Sequence, residues 1–128
     1  MNVLILDSGA VTILAHRDRA AAATTRRAQE GEPLAKVVPT VVLVECLSGR
    51  QRTDAEVNRF LKKCKVMDAP DEKLARRAGS LRARAGQGSA VGAVLVAMAE
   101  PGGAVLTHDI EDLEALASHA RDVTVFAA

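Results

Sequence analysis

The chain has 128 residues, 17 Lys plus Arg and 16 Asp plus Glu, for a formal net charge of +1. That length fits one compact domain over residues 1–128, large enough for a core that needs no disulfide or metal staple. Apolar residues make up 48%, nearly all aliphatic, with two Phe and neither Trp nor Tyr, which excludes a disordered chain, a collagen-like repeat and a disulfide scaffold.

The first element is a strand, residues 2–6 (NVLIL), a continuous apolar run of the kind buried on both faces of a parallel sheet. Asp7 and Ser8 then cap a helix, SGAVTILAHRD. A second helical stretch, residues 21–31 (AAATTRRAQEG), ends at Gly31 with Pro33 beyond it. KVVP is a short strand, and Thr40 opens the apolar helix VVLVECLSG, stopped by Gly49. Thr53 to Glu56 has the capping-box pattern and leads into EVNRFLKKC. KVMDAP is a third strand, and Asp71 and Glu72 start a long basic helix, EKLARRAGSLRARAG. Gly86 to Gly88 form a loop, and Ser89 caps SAVGAVLVAMAE. Gly102 and Gly103 turn the chain into the strand AVLT, followed by the acidic helix HDIEDLEALASHA and a last strand, VTVF. Short strands alternating with longer helices specify an α/β fold with a mostly parallel sheet and right-handed crossovers.

Cys46 and Cys64 are too few for a secreted framework and are read as reduced thiols used as small apolar residues. The N-terminus lacks a basic region before NVLIL, so it does not read as a signal peptide. The longest apolar run, Val91 to Ala99, is about half of the ~20 residues that span a bilayer. A soluble, cytoplasmic protein is expected.

Ligands of open parallel sheets bind beyond the carboxyl ends of the strands. Asp7 follows the first strand, and Asp109 follows the fourth, with Asp112 three residues on and therefore on the same face of the helical turn. Helix capping is the plain alternative for each of them. Glu45 is different, because it sits in VVLVECL with apolar residues on every helical side, where a carboxylate is rarely buried unless paired or metal-bound, a solvent-facing position being the alternative. A carboxylate cluster needs a cation to hold it, and oxygen-only ligands suit Mg²⁺ or Mn²⁺. His16, His108 and His119 lack zinc-like spacing with the cysteines. His108, next to Asp109, is read as a surface histidine, with substrate contact as the alternative. An acidic site of this kind at a sheet end suits phosphodiester hydrolysis by metal-activated water.

Four blocks, LILDSGAV, PTVVLVECLSG, GSAVGAVLVAMAE and AVLTHDIEDLEAL, resemble in order and spacing the signature blocks of PIN-domain ribonucleases. Within that family they are most similar to the VapC toxins of bacterial toxin–antitoxin pairs. The resemblance implies an endoribonuclease dependent on Mg²⁺ or Mn²⁺ that cuts tRNA or rRNA. It implies a homodimer inhibited by a VapB-type antitoxin whose tail covers the acidic site. It assigns catalysis to Asp7, Glu45, Asp109 and Asp112, metal binding to Asp7, Asp109 and Glu45, and substrate contact to Thr107. One position departs from the pattern, since Gly92 stands where the family carries an Asp. A glycine inside a helix costs about 1 kcal/mol relative to Ala, so a lost active-site acid and reduced activity are expected, with a packing glycine and no lost acid as the plain alternative.

The net charge conceals a split. Residues 46–88 hold 11 basic and 5 acidic side chains, and residues 89–128 hold 1 basic and 6 acidic. The basic segment contains Arg50, Arg52, Lys62, Lys63, Arg76, Arg77, Arg82 and Arg84. It reads as a solvated helix face or as a seat for an RNA backbone, with Arg82 and Arg84 the candidates for substrate or antitoxin contact. Two other readings remain. One is a PIN fold that binds antitoxin or RNA without cutting. The other is a phosphoacceptor receiver domain with Asp68 as acceptor, which the Asp7-Ser8 pair and the absence of a Lys near the last strand disfavour.

Overall fold

The structure, a computed structural model, describes residues 3–16 and 35–128. The helical stretch read at 21–31 lies outside the described residues. In chain order the elements are β1 (Val3–Leu6), α1 (Ser8–Ala15), β2 (Ala35–Pro39), α2 (Thr40–Cys46) and α3 (Gln51–Leu61). They continue with β3 (Lys65–Met67), α4 (Glu72–Ala85), α5 (Ala90–Ala99), β4 (Ala104–Thr107), α6 (Ile110–Ala117) and β5 (Thr124–Ala127). The α/β fold with a parallel sheet is therefore as expected.

All five strands are parallel, in the order β3-β2-β1-β4-β5. The continuous apolar runs take the inner places. Leu4, Ile5 and Leu6 of β1 and Val105 and Leu106 of β4 are fully buried, because helices cover both faces of a parallel sheet. The outer strand β3 is exposed throughout, and its Lys65 discourages further strand pairing. Strand order reverses at β1. The chain leaves β1 toward β2 on one side and returns to pair β4 on the other. Such a switch point opens a crevice between the two loops that leave the adjacent carboxyl ends. Here those loops begin at Asp7 and His108.

The helix starts follow local chemistry. Asp71 caps α4 by accepting from the backbone N–H of Leu74 at 2.9 Å, and Gly86 ends it at φ 67°. Residues 92–99 of α5 are all buried, so this helix is apolar all round. The capping box at Thr53 is not realised. Helix α3 starts earlier, at Gln51, and the Asp54 carboxylate reaches back to Ser48. It accepts from the backbone N–H groups of Ser48 and Gly49 and from the Ser48 hydroxyl, which hold its pKa below the ordinary carboxylate value. Cys46 and Cys64 are free and half-buried, and burial raises both thiol pKa values.

Glu100, just past α5, makes a two-pronged ion pair with Arg77 of α4, at 2.8 Å to Nε and 2.7 Å to Nη2. It also accepts from the backbone N–H of Arg121 at 2.7 Å, tying α4 and α5 to the loop before β5. No helix among the described residues is long and apolar enough to cross a membrane.

Candidate active site

Asp7 occupies the switch point. Its Oδ1 caps α1 by accepting from the backbone N–H of Ala10 at 2.7 Å. Its Oδ2 accepts from the Thr107 hydroxyl and from the backbone N–H of His108 at 3.0 Å. A carboxylate offers about four lone-pair sites. Three are used, which leaves one acceptor position on Oδ1. Capping and site assembly are therefore one arrangement at Asp7, with one oxygen serving the helix and the other the β4 end.

Thr107 links the two halves of the crevice. It is fully buried, donates its hydroxyl to Asp7 and accepts from the backbone N–H of Asp109 at 2.8 Å. Resemblance assigned Thr107 to substrate contact. Its burial and its two bonds instead make it the group that holds Asp7 against the turn bearing Asp109.

Asp109 stands at the N-cap of α6 but makes no side-chain cap bond. Its carboxyl approaches that of Asp112 instead, and the Asp109 charge together with a hydrogen bond between the two raises the Asp112 pKa. Two acids held this close repel each other, which a cation between them would relieve. The oxygen-only donors fit a hard divalent ion such as Mg²⁺, which keeps most of its water and takes one or two carboxylates. Among the described residues no three His, Cys, Asp or Glu side chains close into a fuller ligand set.

Glu45 lies in the last turn of α2, exposed to solvent. The apolar run around it suggested burial, and the structure corrects that expectation. Helix α2 buries only Val42, and the neighbouring Val44 is 80% exposed. Glu45 makes no hydrogen bond or ion pair with a described residue, so it is not joined to the Asp7–Asp109 group.

Gly92 is buried in the first turn of α5, its N–H bonded to the Ser89 hydroxyl at 2.8 Å. A Cβ there would lie 2.9 Å from Ser89 Oγ and 3.5 Å from the side chains of Leu113 and Leu116. Position 92 therefore faces α6, the helix that carries Asp112. The N-cap serine stands where a side chain would begin, which is a packing reason for glycine that sequence alone does not reveal.

The basic segment is partly spent on structure. Arg77 pairs with Glu100, Arg76 with Glu72 and Arg59 with Glu56. Arg82 is exposed and donates through Nε to the Gly88 carbonyl at 2.9 Å, and Arg84 is exposed as well. Both belong to the last turn of α4, next to the loop that leads into α5.

One site residue was missed. Gly9 sits where a Cβ would lie 2.5 Å from His108 Cβ, so its lack of a side chain lets the β4–α6 turn close on Asp7. The signal was a glycine in the first turn of an otherwise well-formed helix.

The family model described as PIN domain matches residues 4–118. No curated protein sequence matches the chain. The solved VapBC2 of Rickettsia felis bound to a DNA fragment from their promoter is similar over 98% of both chains, with a TM-score of 0.71 and 11% identity. A toxin–antitoxin complex from Klebsiella pneumoniae is similar over 85% of this chain and 88% of that one, with a TM-score of 0.62 and 17% identity. PAE2754 from Pyrobaculum aerophilum is similar over 94% of this chain and 90% of that one, with a TM-score of 0.62 and 17% identity.

Proposed function

Because the chain belongs to the PIN domain family, we propose that it is a metal-dependent endoribonuclease, the toxin of a toxin–antitoxin pair. The observation that carries this reading is the joining of Asp7 to the Asp109–Asp112 turn through Thr107, at the switch point of a parallel sheet. The substrate class is tRNA or rRNA, and the cation is Mg²⁺ or Mn²⁺.

When bound, the cation would activate a water and neutralise charge on the scissile phosphate. Asp109 and Asp112 would hold it, with the remaining acceptor position of Asp7 available to it directly or through water. Thr107 and Gly9 fix the spacing of these acids. Glu45, exposed one helix away, would join only through water or a moved side chain. Arg82 and Arg84 supply charge for the phosphate backbone. The toxin role and a VapB-type antitoxin partner are supported by the likeness to two solved toxin–antitoxin complexes and by the four sequence blocks, and a homodimer by the sequence resemblance alone.

Gly92 supports lowered activity, since no carboxylate enters from α5. The close fit of Ser89 at that position also favours a second reading, a PIN module that binds antitoxin or RNA without cutting. Incubation of the chain with structured RNA, with Mg²⁺ or with chelator, separates the two. Slow cleavage that needs Mg²⁺ and is lost in Asp7→Asn supports the nuclease. RNA left intact at high enzyme concentration supports the binding module.

A further inference from the structure

Nucleases of single-stranded RNA commonly hold a base on a flat side chain, since every base offers a π-face. This chain has neither Trp nor Tyr, and its two Phe residues, Phe60 and Phe126, are both packed against the core. The aromatic ring beside the acids is that of His108.

Its placement is built from both sides. The backbone N–H of His108 is bonded to Asp7 Oδ2 at 3.0 Å, which fixes where the side chain leaves the turn. A Cβ on Gly9 would lie 2.5 Å from His108 Cβ, 3.2 Å from Cγ and 3.5 Å from Asp7 Oδ1. The imidazole therefore starts out over the bare backbone of Gly9, alongside the Asp7 carboxylate. His108 is exposed, and its ring makes no hydrogen bond with a described residue. The other two histidines stand elsewhere. His16 ends α1, with its ring bonded to the Thr12 carbonyl, and His119 follows α6.

We propose that His108 is the base-contacting residue of this site, stacking a nucleotide next to the scissile phosphate, with Gly9 as the gap that lets the ring lie there. The proposal rests on the ribonuclease reading, which it deepens by making a flanking nucleotide part of recognition. The ring contributes its face, so Phe should replace it and Gln should not.

The test is binding of a fluorescent single-stranded RNA to the full chain with metal chelated, so that no strand is cut. A series of strands carries one abasic position, moved along the sequence. His108→Ala should weaken binding of the intact strand about 5- to 150-fold, the range of one lost stack. His108→Phe should restore it, and His108→Gln should not. One abasic position should remove the difference between wild type and His108→Ala, and thermal melting of all variants should match wild type. Equal binding by His108→Ala, rescue by Gln, or the same loss on every abasic strand overturns the proposal while leaving the nuclease reading intact. A wild-type chain that binds no RNA overturns the stacking proposal, while the nuclease reading stands or falls on Mg²⁺-dependent cleavage.

Discussion

Replacing Gly9 with alanine sets two effects of opposite sign against each other. Gly9 lies in the first turn of α1, where alanine in place of glycine would add up to about 1 kcal/mol of helix propensity. The new Cβ, however, would sit 2.5 Å from His108 Cβ. Carbon atoms pack at about 3.5–4.0 Å, so one side must retreat by roughly 1 Å. The turn is held by the His108 N–H on Asp7 and the Asp109 N–H on Thr107, so retreat strains both bonds. Overpacking of this kind costs about 1–3 kcal/mol, and a weakened bond to a carboxylate adds about 1 kcal/mol or more. The net expectation is a loss of about 1–3 kcal/mol, seen as a melting temperature lower by roughly 3–10 °C for a chain of this size. Gly79→Ala is the comparison, since Gly79 is inside α4 and nothing lies within 4 Å of its Cβ position. It should gain up to about 1 kcal/mol. Thermal melting followed by circular dichroism reads both. A Gly9→Ala chain that melts at or above wild type would refute the close approach of α1 and the β4–α6 turn.

Thr107→Val keeps shape but removes the links to Asp7 and Asp109, and should cost about 1–3 kcal/mol in denaturant unfolding while abolishing RNA cleavage. Gly92→Asp should lower stability by about 1–3 kcal/mol, because the new side chain displaces the Ser89 cap and sets a carboxylate into a buried position against Leu113 and Leu116, only partly offset by the helix N-terminus. Arg77→Ala leaves the largely buried Glu100 carboxylate with the Arg121 N–H alone, at a cost of about 1–3 kcal/mol at neutral pH. The Arg77 guanidinium holds the folded pKa of Glu100 below its ordinary value of 4.5. Its contribution is therefore present above that value and lost as pH falls through the lowered one. Melting temperature measured against pH should fall less steeply below about pH 4.5 in Arg77→Ala than in wild type. RNA binding held by Arg82 and Arg84 should weaken steeply with salt, measured by titration at rising ionic strength.

The sheet was legible because short apolar runs bounded by turn residues suit central parallel strands, and Leu4 to Leu6 and Ala104 to Thr107 are buried as read. Asp7 and Asp109 were legible from their place directly after those strands. Glu45 misled, because an apolar neighbourhood in sequence does not say which side of a short helix meets the core. Val42 of α2 is buried, and Val41, Leu43 and Cys46 pack partly against the core, while Val44 and Glu45 face solvent. The role of Thr107 was hidden for a related reason, since the sequence does not tell that its hydroxyl turns inward to Asp7. The start of α3 shifted because Asp54 bonds backward to Ser48 and Gly49 rather than supporting a cap at Thr53. Close approaches, such as Gly9 to His108 and Gly92 to Ser89, join segments far apart or rotamers undefined in sequence, and emerge only once the chain is folded.

In the proposed function Asp7, Thr107, Asp109 and Asp112 build a metal-dependent cutting site that lacks one acid. Its most direct test is the rate of Mg²⁺-dependent cleavage of one structured RNA by wild type, Gly92→Asp and the double variant Gly92→Asp/Asp109→Asn. Cleavage should be slow in wild type, at least tenfold faster in Gly92→Asp, and absent in the double variant and in chelator. Equal rates in wild type and Gly92→Asp, or cleavage that survives Asp109→Asn, would contradict the account.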